Sequence, residues 1–282
     1  MGTPLTGSVS ALAVRPGGEV VVSGCLEGPD GECAWSVVGW DGQHWQPLRH
    51  QPPDAAQQLV AGPAGELAAS NWEDAWRYDG NRWQPVPLPP PDGTRRTGRT
   101  AHILTFAPDG SLLAGGANVS HEVRSKGFVA RHDGQRWQVL GEELPFEVDC
   151  LLTAADGSLV AGGRHSNMHP DSLSVVGYLA RWDGTTWQQL GPRLLGSVEA
   201  LVQAPNGDLL AGGNFLDAGG KPQADFVARY HAGRWQALGP GLNDRVNALL
   251  FTPAGELVVG GEFTALGDAS LATSRLAVYR EP

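Results

Sequence analysis

Lysine is almost missing from this chain of 282 residues: Lys126 and Lys221 are the only two, and the other basic side chains are arginine. Twenty basic residues face 30 acidic ones, a net charge of −10, whereas nucleic-acid affinity rests on clustered cations. DNA and RNA are therefore excluded as partners. An arginine-rich cation set suits fixed ion pairs, although GC-rich coding accounts for it as well. No stretch approaches the ~20 consecutive apolar residues of a membrane span. The start, Met1-Gly-Thr-Pro-Leu-Thr-Gly7, carries neither the basic nor the apolar segment of an export signal. As written, the expectation is a soluble cytoplasmic protein without membrane partners, and an extracellular one if the chain has been trimmed. Cysteine is scarce too. Cys25, Cys33 and Cys150 are an odd set without disulfide-framework spacing, which fits a reducing compartment. One pairing stays open, because Cys25 and Cys33 flank a loop between two expected antiparallel strands, within the ~4.4 to 6.8 Å a disulfide spans.

Glycine and proline are plentiful, 39 and 21, and they are spread at regular intervals rather than massed, so they punctuate short strands instead of marking disorder. The glycines Gly18, Gly65, Gly110, Gly157, Gly207 and Gly255 follow one another at 47, 45, 47, 50 and 48 residues. A period in this range signals a solenoid, a propeller or an array. The repeats run unbroken from residue 9 to residue 279, which argues for one domain over 1–282.

Repeat five is the clearest. Val198–Pro205 reads as a first strand (A), Pro205–Asp208 as a tight turn, Leu209–Gly213 as a second strand (B), Phe226–Tyr230 as a third (C) and Arg234–Leu238 as a fourth (D). Four short antiparallel strands per repeat is the content of a propeller blade. Trp45, Trp83, Trp137, Trp187 and Trp235 stand at one place on strand D, where each buries ~150 to 250 Å² of aromatic surface. Trp40, Tyr78, His132, Trp182, Tyr230 and Tyr279 close strand C. Asp-Gly pairs at 41/42, 79/80, 133/134 and 183/184 suit a hairpin with positive φ. Gly-Gly closes strand B at 115/116, 162/163, 212/213 and 260/261, with Ser23-Gly24 and Ser70-Asn71 as departures.

Gly-Gly, the aromatic before Asp-Gly, and the following Trp together resemble the kelch repeat, the propeller type also found in the central domain of galactose oxidase. The resemblance covers nearly the whole chain and implies the fold; the family spans adaptors, enzymes and structural proteins, so it implies no single activity. The loops Gly212-Gly-Asn-Phe-Leu-Asp-Ala-Gly-Gly220 and Gly260-Gly-Glu-Phe-Thr-Ala-Leu-Gly267 look like those of bacterial and fungal surface propellers. The copper site of galactose oxidase does not carry over, because the four tyrosines all fall on strand C. Asp183-Gly-Thr-Thr-Trp187 is similar to a sialidase Asp-box but one residue short between Asp and Trp, so sialidase chemistry is not implied. The sixth repeat stops after strand C. The expected fold is thus an all-β, six-bladed propeller of four-stranded blades whose last blade has three strands.

In such a ring the B-to-C and D-to-A connections share one face, and these are the long, individual ones, where binding groups concentrate on a rigid scaffold. The A strands place Ser10, Gln57, His102, Asp149, Glu199 and Asn247 at one level, six polar residues among apolar neighbours. A hydrated channel mouth explains them. So does a cation site, since Asp149, Glu199 and Asn247 are the hard oxygen donors Ca²⁺ takes; otherwise the sequence calls for no cofactor. His165 and His169 on a loop spanning 164 to 177, with His121, could hold a transition metal, but read more simply as exposed loop histidines. Trp35 and Trp72, near Asn71, Glu73 and Asp74, offer a sugar-stacking platform or merely fill space. Arg95, Arg96 and Arg99, in the Pro-rich insert 86 to 100, could meet an acidic partner or simply solvent.

The favoured reading is a non-enzymatic, monomeric scaffold binding a protein or a glycan. The alternatives are a divalent-cation-dependent hydrolase or lyase, with His102 as general base, and an engineered propeller without a selected ligand.

Overall fold

The computed structural model describes residues 5–27, 33–52, 56–71, 74–88, 98–119, 126–169, 172–221, 224–252 and 254–280. Within these, the side chains of residues 33, 35, 98, 99, 102, 119, 166–169 and 172–174 lie outside the description.

Each repeat folds as an antiparallel meander. The first holds β1 (Gly7–Val14), β2 (Val20–Glu27), β3 (Cys33–Trp40) and β4 (Trp45–Pro47); the second β5 (Gln58–Ala61), β6 (Leu67–Ser70), β7 (Ala75–Tyr78) and β8 (Trp83–Pro85). The third holds β9 (Gly98–Phe106), β10 (Leu112–Val119), β11 (Lys126–His132) and β12 (Trp137–Val139). The fourth holds β13 (Glu147–Thr153), β14 (Leu159–His169), β15 (Ser172–Trp182) and β16 (Trp187–Gln189), and the fifth β17 (Leu194–Gln203), β18 (Leu209–Leu216), β19 (Val227–His231) and β20 (Arg234–Ala237). The sixth has β21 (Val246–Phe251), β22 (Leu257–Gly261) and β23 (Leu276–Tyr279), a three-stranded sheet among the described residues. Repeats four and five merge into one eight-stranded sheet, because Val176 and Gly177 of β15 pair with Leu195 and Leu194 of β17.

The residues group into two compact units, Met1–Ala114 with Val129–Val139 and Gly115–Phe128 with Leu140–Pro282. In the first, Val21, Val37, Leu59, Leu67, Trp76, Tyr78 and Trp83 share a core. In the second, Val160, Leu179, Val198, Phe215 and Trp235 form one cluster and Leu210, Leu242, Val246, Val259 and Phe263 another.

The repeated residues have physical reasons. The six A-to-B turn glycines all adopt φ between 81° and 92°, a region other residues rarely visit. In the Asp-Gly turns the aspartate does more than precede a glycine: Asp79 Oδ1 accepts from the amides of Asn81 and Arg82, and Asp183 Oδ1 from those of Thr185 and Thr186. Asp41 and Asp133 repeat the arrangement. These amide bonds hold all four carboxyls below the usual aspartate range.

The strand-C aromatic and the strand-D tryptophan face each other across the hairpin, as in Trp40–Trp45, Trp182–Trp187 and Tyr230–Trp235, with ring centroids 5.2 to 5.4 Å apart. Three of the tryptophans also reach back one repeat. The indole N–H of Trp137 donates to the Pro87 carbonyl, that of Trp187 to Leu140 and that of Trp235 to Pro192, at 2.6, 2.8 and 3.2 Å. This latch between successive repeats was not evident in the sequence.

One expectation is corrected. The loop foreseen over 164–177 is mostly a long hairpin, with β14 and β15 paired from Leu159↔Trp182 out to His169↔Ser172. No glycine or proline interrupts β14 between Gly163 and Pro170, so nothing stops the ladder earlier. Cys25 is disulfide-bonded, whereas Cys150 is a buried free thiol. The side chain of Cys33, the partner foreseen in the sequence, lies outside the description.

Candidate functional site

The polar level foreseen on the A strands has a structural cause. In β1, β13, β17 and β21 the ladder to the next strand slips by one residue, and the residue at the slip is Ser10, Asp149, Glu199 or Asn247. Each is the extra residue of a β-bulge, a device that redirects a side chain out of the regular alternation. Gln57 sits at an equivalent irregularity, its amide donating to the Ser70 carbonyl although Ser70 is the register partner of Gln58.

The bulges also explain the closing glycine of strand B. A Cβ added to Gly24, Gly163 or Gly213 would overlap the carbonyl oxygen of Ser8, Glu147 or Ser197 on strand A, and one added to Gly261 that of Arg245, just before β21. The glycine is what lets the bulged strand come this close.

In the second unit two of these bulges carry ion-pair clusters, one around Arg164 and one around Arg245, together termed the bulge network. Arg164, which follows Gly163, donates from Nη1 to Asp149 Oδ2 at 2.9 Å and places Nη2 3.3 Å from Glu147 Oε2. Glu199 accepts a hydrogen bond from Ser197 Oγ at 2.7 Å, and its Oε2 lies 3.6 Å from Arg245 Nε. Arg245 Nη1 is 3.9 Å from Glu262 Oε1. The carboxylates of Glu147, Asp149 and Glu199 are 11 to 20% exposed, the two guanidiniums 36 and 40%. Asn247 is exposed beside them. Among the described residues no three of His, Cys, Asp and Glu gather as a metal site would require. A cation binding Asp149 or Glu199 would have to displace an arginine contact.

Burial above all, and then the charges of Asp149 and Glu199, push the Cys150 thiol well above the ordinary range. It stays protonated, with Sγ 3.7 Å from the Val198 carbonyl, and has none of the thiolate character a nucleophile needs.

The other foreseen residues are dispersed or outside the description. His165 packs edge-on to Tyr178 at 6.4 Å, and its Nδ1 is buried without a partner among the described residues. His169 lies four residues further along the same strand, about 13 Å away at the rise of an extended chain. His121, Trp72, Arg95 and Arg96 fall outside the described residues, as do the side chains of Trp35, Arg99 and His102. The sequence reading missed Arg164 and Arg245. Their place directly after the Gly-Gly pair and two residues before Asn247 was the signal that could have found them.

No protein-family model matches the sequence, and no curated protein is similar enough to stand as a relative. Solved structures do align over nearly all of it. YCF48 bound to a D1 peptide aligns with a TM-score of 0.56 at 13% identity, covering 94% of this chain and 79% of that one. The α-L-arabinofuranosidase Arb93A from Fusarium graminearum, in complex with an iminosugar inhibitor, reaches 0.56 at 12%, covering 96% and 92%. The α-L-arabinanase of Penicillium chrysogenum, complexed with arabinobiose, gives 0.53 at 14%, covering 95% and 91%.

The chain is a β-propeller.

At these identities the likeness carries the fold and nothing finer, and it does not single out the kelch branch of propellers. No helix is long and apolar enough to cross a membrane among the described residues.

Proposed function

We propose that this propeller is a six-bladed, kelch-like binding module, without catalytic activity, that receives a protein segment at the strand-A bulges of its second unit. The observation that carries the reading is the network Glu147–Arg164–Asp149 and Glu199–Arg245–Glu262, in which both guanidiniums are partly exposed and both acidic bulge residues are already matched by arginine. Such a surface offers oriented donors and acceptors to the backbone and side chains of a peptide. A propeller of similar fold is described as bound to a peptide, which supports a protein ligand. On this reading the chain acts as a monomer and needs no cofactor. The disulfide at Cys25 is of the kind an oxidising compartment sustains, which favours an extracellular setting over the cytoplasm.

The test is selection of binders from a displayed peptide library, followed by comparison with Arg245→Gln. Peptides that bind the wild type and lose about tenfold or more in affinity to Arg245→Gln support the reading. The competing reading is a Ca²⁺-dependent hydrolase with Asp149, Glu199 and Asn247 as ligands and His102 as base. Thermal unfolding after chelation, with and without Ca²⁺, separates the two, because a ligand at 100 times its Kd adds ~2.7 kcal/mol. An upward shift abolished by Asp149→Ala overturns the binding-module reading; an unchanged midpoint retains it.

A further inference from the structure

A cavity of about 370 Å³ lies in the second unit between the segment joining repeats three and four and the outer strands of repeat four, and no residue of the bulge network is among its described lining. Its walls include Glu142, Glu143, Phe146, Tyr178, Thr186 and Trp187. This volume is within the range of small-molecule sites, about 300 to 1,000 Å³.

Two departures from the repeat distinguish this place. The residue before the strand-D tryptophan is His44, Arg82, Arg136 and Arg234 in the other repeats, but Thr186 here. Where the later connections read Gly191-Pro-Arg-Leu and Gly239-Pro-Gly-Leu, this one reads Gly141-Glu-Glu-Leu. The position that carries arginine in three other repeats thus carries a short hydroxyl, and a connection that carries proline in two later repeats carries a carboxylate.

Gly141 lets the connection cross directly over the aromatic pair. With φ at 70°, a Cβ there would run into the Trp182 ring and crowd Trp187. The Trp187 indole N–H is committed to the Leu140 carbonyl, which fixes the ring as one wall. Phe146 and Tyr178, stacked 5.3 Å apart, form the floor. Glu143 is held by Lys126 Nζ at 2.8 Å and by Asn118, whereas Glu142 is exposed and makes no ion pair or side-chain hydrogen bond among the described residues. Among the described residues no lysine or arginine lines the cavity; Arg193 lies over the Tyr178 ring, 5.0 Å from its centre, and is not part of the lining.

The geometry points to a binding site for a single organic cation, an alkylammonium or a guanidinium group, seated against Trp187 with Glu142 as counter-ion. An aromatic wall beside an unmatched carboxylate attracts a desolvating cation by both the ring quadrupole and direct charge. A neutral sugar would use the aromatic wall but gain nothing from the unmatched charge. The cation has two sources, a free small molecule or a basic side chain on a peptide. This site does not depend on the bulge network being a binding surface.

The experiment is a titration of ¹⁵N-labelled full-length protein, following the Trp187 indole signal, assigned through Trp187→Phe. The probes are n-butylguanidinium, the capped peptide Gly-Gly-Arg-Gly-Gly, the same peptide with citrulline, and methyl α-glucoside. Both cations should shift the Trp187 indole, with citrulline at least about tenfold weaker. Peptide affinity well above that of butylguanidinium assigns the source to a protein, and equal affinities assign it to a small molecule. Glu142→Gln should weaken cation binding about tenfold. Thr186→Arg, which restores the residue type of three other repeats and should therefore fold, should abolish it. Equal binding of arginine and citrulline peptides, indifference to both substitutions, preference for the glucoside, or no shift at millimolar probe overturns the proposal.

Discussion

Arg164 holds two carboxylates, Glu147 and Asp149, that are 15% and 11% exposed. Removing the cation leaves like charges side by side in a poorly solvated place, a change that costs about 3 to 5 kcal/mol when the pair is fully buried and less here. Arg164→Met is expected to lose about 2 kcal/mol in urea unfolding, and adding Asp149→Asn should restore part of that loss, since the two positions share one network. Asp183 gives a pH signature. Its folded-state pKa is lowered, chiefly by the Thr186 and Thr185 amides, so the stabilisation is present above the unfolded value of ~3.9 and is lost as pH falls below it. Urea midpoints measured at pH 5 and pH 3 should fall for the wild type and fall less for Asp183→Asn; an equal fall would mean that the turn amides do not bind the carboxylate.

At the scale of the element, the bulge and its glycine act as one unit. Gly213→Ala would force the Ser197 carbonyl away from β18 and disturb the presentation of Glu199, so a loss of about 3 kcal/mol or more is expected, beyond the ordinary cost of a surface substitution. Gly207, at the neighbouring turn, has φ of 92° but open space around it, so Gly207→Ala should cost only the conformational strain, about 1 kcal/mol. Differential urea melts of the two variants check this. The latch offers a second comparison. Trp187 donates to Leu140, while the Trp83 indole nitrogen is buried with no partner among the described residues. Trp187→Phe should therefore destabilise by about 1 to 2 kcal/mol more than Trp83→Phe.

These elements mark what could be read in advance. Turn glycines, Asp-Gly hairpins and facing aromatics depend on neighbours close in sequence, and they stood out through repetition. The alignment of Asp149, Glu199 and Asn247 at one level was likewise visible, because each lies eight residues before its turn glycine. The arginines that pair with Asp149 and Glu199 stood out less, since Arg164 lies on β14 and Arg245 just before β21, so they do not recur at one repeat position. The cavity beside Trp187 was hidden for the opposite reason: it arises where Thr186 and Glu142 break the repeat, and a reading built on periodicity discounts exceptions.

At the scale of the molecule, of the three cysteines Cys25 is disulfide-bonded and Cys150 is a buried free thiol. Alkylation of the denatured, unreduced protein should label one cysteine, and prior reduction should raise this to three. Three labels without reductant would remove the argument for an oxidising compartment. The stability of a repeat protein is otherwise a sum of local terms and neighbour interfaces, so where each neighbour term is anchored matters. In the three tryptophan latches the acceptor carbonyl, Pro87, Leu140 or Pro192, always precedes its donor in the chain. During synthesis, each of repeats three to five therefore emerges from the ribosome to find its docking group already outside, and growth from the N-terminus can consolidate these repeats one at a time without waiting for what has yet to be translated.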